Sequence, residues 1–347
     1  MAGHKPRLGI TIGDPSGIGP EVTLKALIYG NLQDYQPLII SRFDHLEKHY
    51  GKLLKSIPSL RICRDREDLA RKEKDSAILF LDIPGNNPLP PPGPGNPETG
   101  RESLRYIDRA LDLWKEGGIE AIVTGPVSKS LIEKSGQPFT GHTEYMADYI
   151  GEKNPFMMMF SRDYRVLLAT THLPLSQVPN AVTEDRLLHT IRTGYQAIHA
   201  LDGGEVKIAL TGLDPHCGDE GAIGDFDVRI TRRAIDRARS SGLPVEGPFA
   251  ADTLFLPERW KQYSLVIVPY HDQGLIPFKM LAFDTGVNVT LGLSLVRTSV
   301  DHGTAFDIAG KNKAGHQSMI EAMDLAFRLL KYRSGELSAQ PGENISD

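Results

Sequence analysis

Residues 265–274 read LVIVPYHDQG. Four branched apolar side chains stand without a polar break, then Pro-Tyr, then a histidine. A run this short and this continuously apolar suits a strand covered on both faces, as in a parallel sheet. Two other segments share the design. VLLATTHLPL (166–175) reaches His172 and KIALTGLDPH (207–216) reaches His216, as LVIVPYHDQG reaches His271. Working outward, further strand candidates lie at 7–13, 38–41, 77–82, 121–124, 165–171 and 287–291. They alternate with amphipathic stretches. The clearest spans 101–116, where Leu104, Ile107, Leu111 and Trp114 share a face. Thr99 and Glu102 can form its capping box and Gly117–Gly118 stops it. Strands alternating with helices make the class α/β. The proline-rich PLPPPGPGNPETG (88–100) reads as an extended surface connection or a domain linker.

The chain has 347 residues, more than twice the roughly 150 of a common domain, so two domains are expected. Its composition, 40% hydrophobic and 24% charged, is that of a folded enzyme rather than a disordered chain. A net charge of −5 argues against a dedicated nucleic-acid binder. Two cysteines, Cys63 and Cys217, make no disulfide framework and fit a reducing cytoplasm. No apolar run approaches the ~20 residues of a membrane span, and the N-terminus lacks a signal-like apolar core. The tail beyond Arg333 is polar and reads as mobile.

In open α/β sheets, ligands bind beyond the carboxyl ends of the strands. Three imidazoles emerging there can converge on one divalent ion, leaving coordination positions for a substrate. Equally, each can be an ordinary hydrogen-bonded histidine at a strand end. Asp252 and Asp272 are candidate carboxylate partners, and Asp252 can also simply cap a helix. Cys217 reads as a small packed residue, because its side chain points away from that of His216. The turn GDPSGIGPEV (13–22) follows a strand and opens a helix. No acidic residue closes the next strand, so a Rossmann site is disfavoured. An anion-binding turn and a structural tight turn both remain. In FTGHTEYMADY (139–149), Gly141, His142 and Thr143 open a helix whose amides can hold a phosphate, or simply cap it. Lys279, Asn288 and Arg297 are polar residues among apolar ones and suggest an anionic substrate.

At these residues the sequence resembles the 4-hydroxythreonine-4-phosphate dehydrogenase family of vitamin B6 biosynthesis. The resemblance is carried by GDPSGIGPE (13–21), TGPVSK (124–129), GHTEYMA (141–147), THLPL (171–175), GLDPHCGDEG (212–221) and DTLF (252–255). It continues through YHDQGLIPFK (270–279), VNVTLGL (287–293) and RTSVDHGTAFDIAG (297–310), and so covers essentially the whole chain. HGTAFDIAGKNKA (302–314) is also similar to the cofactor loop of isocitrate and isopropylmalate dehydrogenases.

The resemblance implies their two-lobed α/β fold with an active-site cleft between the lobes, a non-Rossmann NAD(P) site and a homodimer. The lobes are expected at 1–125 plus 285–347, with the cofactor loop, and at 126–284, with metal ligands and dimer contacts. The implied reaction oxidises 4-phosphohydroxy-L-threonine with NAD(P)⁺ and releases carbon dioxide, leaving 3-amino-2-oxopropyl phosphate. Carried over by motif, His172, His216 and His271 hold one divalent metal (zinc, magnesium or cobalt), with ligands from both subunits. His142, Thr143, Lys279, Asn288 and Arg297 contact the substrate. Gly303, Thr304 and Ala305 lie near the nucleotide, and Lys279 and Asp252 are candidates for proton transfer. The family's NPHAGE motif stands here as Asp214-Pro215-His216-Cys217-Gly218-Asp219, and its downstream acids as Asp225-Phe226-Asp227. These departures leave open relatives' substrates: threonate or erythronate 4-phosphate, or an aromatic cis-dihydrodiol acid. A non-catalytic metabolite-binding descendant would have no need of all three histidines and all three polar contacts.

Overall fold

The computed structural model describes residues 5–71 and 78–333; the polar tail and residue 77 of the 77–82 strand candidate lie outside them. Its strands are β1 (Arg7–Thr11), β2 (Gln36–Ser41), β3 (Leu60–Cys63), β4 (Ile78–Asp82), β5 (Ala121–Thr124) and β6 (Phe156–Phe160). They continue with β7 (Arg165–Leu168), β8 (Ile208–Thr211), β9 (Val245–Phe249), β10 (Leu265–Val268), β11 (Val287–Leu291) and β12 (Val296–Val300). The described residues form two compact units, one over 5–153 and 293–330, the other over 154–292 and 331–333.

In the first unit the order is β3-β4-β2-β1-β5-β12, and every pairing is parallel. The second unit has the order β11-β6-β7-β10-β8-β9. There β6 pairs antiparallel with β11 and β7, while β7, β10, β8 and β9 run parallel. Trp260 and Phe278, both fully buried, pack with Val166, Leu168, Val266 and Val268 in its core. Apolar side chains on both faces of β7 and β10 leave polar chemistry to the turns beyond them.

Four strands go beyond the sequence expectation, for different reasons. β6 is FMMMF, entirely buried, and methionine carries no strand signal. β9 contains Gly247 and Pro248 and lies at an edge, where a missing donor is tolerated. β12 is VRTSV, and its arginine, threonine and serine are buried although they read as surface. β3 is short.

The clearest helix starts earlier than expected, at Pro97, inside the stretch read as extended. Proline suits a first helical position because its missing amide would have had no partner there. The capping box is Asn96 with Thr99, not Thr99 with Glu102: Asn96 Oδ1 accepts from the Thr99 amide at 3.0 Å.

The units also divide at different points from the expected lobes. Residues 126–153 pack with the first unit because the Pro97–Lys115 helix binds them closely. A Cβ on Gly100 would lie 2.4 Å from the Leu131 carbonyl carbon. Tyr145 and Tyr149 donate to Asp108 and Asp112 of that helix. At the other end, β11 stays in the second unit because it pairs with β6. Among the described residues no helix is long and apolar enough to cross a membrane.

Candidate functional site

The second unit places the three histidines on one edge of its sheet. β10 pairs in parallel with β7 on one side and β8 on the other, so their carboxyl ends are neighbours. His172 follows β7, His271 follows β10 and His216 follows β8. The exits of β7 and β10 remain joined beyond the strands. Ala169 N donates to Val268 O at 2.9 Å, and the Thr170 hydroxyl donates to Pro269 O at 2.6 Å. Arg186 Nε bonds Ala169 O at 2.8 Å while its guanidinium lies over Phe156, 4.0 Å from the ring centre. These contacts bring the rings of His172 and His271 to 5.6 Å between centroids. His271 Nδ1 pairs with Asp272 Oδ1 at 2.7 Å, which orients the ring and leaves Nε2 free to bind elsewhere.

His216 arrives differently. It heads five consecutive residues with left-handed backbone, His216 to Glu220, at φ values of 53°, 56°, 80°, 45° and 57°. Only Gly218 adopts that region without cost. The approach to the turn is fixed by Asp227, fully buried, which accepts from the amides of Leu213 and Asp214, both at 2.9 Å. Gln273 ties the β8 exit to the helix that starts at His271: its Nε2 donates to Gly212 O at 2.9 Å and its Oε1 accepts from the Thr211 hydroxyl at 2.6 Å.

Three imidazoles on adjacent strand ends suit a divalent ion in donor type. Within one chain, however, only His172 and His271 are in ring contact. Among the described residues no group of three or more His, Cys, Asp or Glu side chains is placed to hold a metal ion. Asp252 sits in the first turn of Ala251–Leu254, exposed, where no side-chain cap forms. Its charge reaches Cys217: burial, then Asp227 and more weakly Asp252, raise that thiol's pKa. Cys217 is buried, as a packed residue should be. Lys279 lies half-buried two turns along the His271–Ala282 helix. Asn288 lies half-buried on β11, its Oδ1 sealed from water without a partner.

The first unit holds the other candidates. His142 opens the His142–Ile150 helix behind Gly141, whose φ of 148° favours glycine. Its Nε2 is buried with no partner, and burial followed by the charge of Arg297 pushes its pKa well down, so the ring is neutral. Arg297, 3% exposed, donates from Nη2 to Thr124 Oγ1 at 2.8 Å. Burial lowers its pKa to about 10, so it stays charged at neutral pH. Thr143 is partly buried in the same first turn.

The opening turn makes structural contacts. Gly17 packs against Thr304, whose oxygen would lie 2.9 Å from an added Cβ, and Ile18 N donates to that oxygen at 2.9 Å. The turn's amide therefore serves the segment carrying Gly303, Thr304 and Ala305. Buried Glu21 holds the same segment further on, accepting from Asn312 N at 3.1 Å and Ala314 N at 2.8 Å. Sequence reading missed Asp14, Glu21, Asp227 and Gln273 as site-forming residues. The available signal was an acid or amide within three residues of a glycine turn or a histidine.

Comparison with known proteins follows the same lines. The model of the family described as pyridoxal phosphate biosynthetic protein PdxA matches residues 33–326. A 4-hydroxythreonine-4-phosphate dehydrogenase from a Sulfurihydrogenibium species is 37% identical over 330 residues, covering 94% of this chain and 99% of that protein. A crystal structure of 4-hydroxythreonine-4-phosphate dehydrogenase from Klebsiella pneumoniae superposes with a TM-score of 0.80 at 33% identity, covering 95% of this chain and 99% of its own. A terephthalate 1,2-cis-dihydrodiol dehydrogenase from Burkholderia xenovorans gives 0.64 at 26% identity, over 93% and 98%.

The buried turn predicts a pH dependence. Asp14 is fully buried, accepting from Ser16 N at 2.9 Å and from the Thr99 hydroxyl at 3.1 Å, and burial raises its pKa to about 6. The native state therefore binds this proton more tightly than the unfolded chain. Its contribution to stability falls as pH rises from about 4 to about 6, then levels off, by roughly 3 kcal/mol at most. Urea midpoints of Asp14→Asn and the parent, compared at pH 5 and 7.5, should shift in the variant's favour at the higher pH. A pH-independent difference would contradict it.

Proposed function

Because the chain belongs to the pyridoxal phosphate biosynthetic protein PdxA family, we propose that it oxidises the secondary alcohol of 4-phosphohydroxy-L-threonine with NAD(P)⁺. The resulting β-keto acid loses carbon dioxide to give 3-amino-2-oxopropyl phosphate, a step of vitamin B6 synthesis. The observation that carries this reading is the placement of His172, His271 and His216 on three adjacent parallel strand ends. These residues would hold the divalent ion, the set being completed across a homodimer. Bound there, the ion would polarise the substrate hydroxyl and offset negative charge as carbon dioxide leaves. Lys279 or Asp252 takes the hydroxyl proton. The charged Arg297, the neutral His142, Thr143 and the first amides of their helix bind the substrate's phosphate or carboxylate. Asn288, with its unpartnered oxygen, takes a donor group of the substrate. Gly303, Thr304 and Ala305 line the nicotinamide nucleotide. The first unit carries the nucleotide segment and the second the histidines and the dimer contacts.

Support for the dimer lies on the helix carrying His271. Ile276, Met280 and Phe283 stand 59%, 79% and 59% exposed at positions i, i+4 and i+7. A stripe of large apolar side chains left in water marks an interaction face. Its helix starts at a histidine ligand, which favours a second copy as the occupant. Met280→Asp should convert the dimer to monomer in sedimentation and reduce activity with it. A dimeric, fully active variant would contradict the shared site.

A second reading draws on Asp214, whose charge adjoins His216 where the family pattern has asparagine, and on the likeness to a dihydrodiol dehydrogenase. It assigns an unphosphorylated dihydrodiol acid, or else a sugar-acid phosphate, as substrate. NAD(P)H formation decides among them. With the phosphorylated hydroxythreonine, removing the phosphate loses two or three charge-assisted hydrogen bonds and should lower kcat/KM roughly 10²–10⁴-fold, while His142→Ala loses one and should lower it roughly 10–10²-fold. Equal use of unphosphorylated 4-hydroxythreonine would remove the phosphate assignment, and preference for the dihydrodiol acid would establish the second reading.

A further inference from the structure

We propose that Asp227 is the positioning residue for His216, holding the left-handed turn that presents this imidazole to the site; the proposal rests on the reading of His216 as a metal ligand. Four non-glycine residues within a run of five left-handed positions, His216, Cys217, Asp219 and Glu220, form a conformation that the chain does not adopt unaided. Such strain persists only where the surroundings over-determine it, so the clamps around the turn identify what sets the direction of the histidine.

The clamp at the entry is Asp227. Both its oxygens are used: Oδ1 by Leu213 N and, at 2.6 Å, by the Thr231 hydroxyl; Oδ2 by Asp214 N. The two amides lie two and three residues before His216, so the carboxylate fixes the direction in which the chain enters the turn. The fit is close. A Cβ on Gly212 would stand 2.9 Å from Asp227 Oδ2. At the exit, Gly218 O accepts from Ile223 N at 3.0 Å, and a Cβ on Gly218 would stand 2.1 Å from Gly224 O. The Asp214 carboxylate in turn fills the space beside Gly224 that a side chain would take. Gln273, on Gly212 O, then registers this loop against the helix of His271. Asp227 is fully buried, and the charge of Arg232 reaches it only without a hydrogen bond, so its bonding partners here are two amides and a hydroxyl. A carboxylate confined to amide and hydroxyl donors at the root of a strained turn is placed to hold geometry.

A double-mutant cycle tests this on the full chain, with cobalt(II) as probe. Cobalt binding is read from its visible absorption, and thermal midpoints are recorded alongside. His216→Ala should weaken cobalt binding. Asp227→Asn, which turns one acceptor into a donor facing an amide, should weaken it about 10–100-fold. It should lower kcat more than it raises the KM for NAD(P)⁺. The double variant should bind cobalt no worse than His216→Ala alone, since both changes remove one interaction. Thr231→Val removes only the hydroxyl and should give a loss of several-fold, which keeps the test sound if Asp227→Asn fails to fold. Additive losses in the cycle, or a lowered thermal midpoint with unchanged cobalt affinity in both Asp227→Asn and Thr231→Val, would overturn the positioning role. Unchanged cobalt affinity in His216→Ala would overturn the metal reading itself, and with it the role of Asp227.

Discussion

Parallel pairing of β10 with both β7 and β8 is the constraint on which the second unit's chemistry depends. Val266 faces Val166 in one register and Ala209 in the other, so three strands end level on one edge. Side chains on both faces are buried, which leaves only the turns after the strands to carry polar groups. Any slip of register would separate the β7 and β10 exits, now joined through Ala169 and Thr170, and the two imidazoles with them.

One physical device recurs in both units. A buried carboxylate accepts main-chain amides beside a segment that bears candidate functional residues: Asp14 at the opening turn, Glu21 on 312–314, and Asp227 before His216. Each burial is unfavourable for the charge by itself, and each is offset in part by the donors around it, which at Glu21 include the Lys25 ammonium at 2.7 Å. At Asp14 the offset is incomplete, and the pKa is pushed up to about 6. The result is rigid loops where flexible ones would blur the position of a ligand or a nucleotide.

What was legible in the sequence follows from side-chain type. Continuous Val/Ile/Leu runs disclosed β7, β8 and β10, and with them the topological place of the three histidines. The strongly amphipathic Pro97–Lys115 helix was legible too, although its start was displaced by a proline that serves as a first helical residue. Strands built from methionine or from buried polar residues, β6 and β12, gave no such signal. Nor did the left-handed turn at 216–220, since four of its five residues are not glycine and its shape is imposed by Asp227 and Gly224 from outside. The glycines of the opening turn were visible, but not their reason: they admit the backbone of Pro126 and Thr304.

The central claim is a metal-dependent oxidative decarboxylation at the strand-end histidines. The direct measurement is the yield of NAD(P)H and carbon dioxide from 4-phosphohydroxy-L-threonine by enzyme stripped with chelator and then restored with zinc, magnesium or cobalt. The account predicts no turnover in the stripped enzyme and, on restoration, equal molar amounts of the two products. Full turnover without metal, or no turnover of this substrate under any condition, would contradict it.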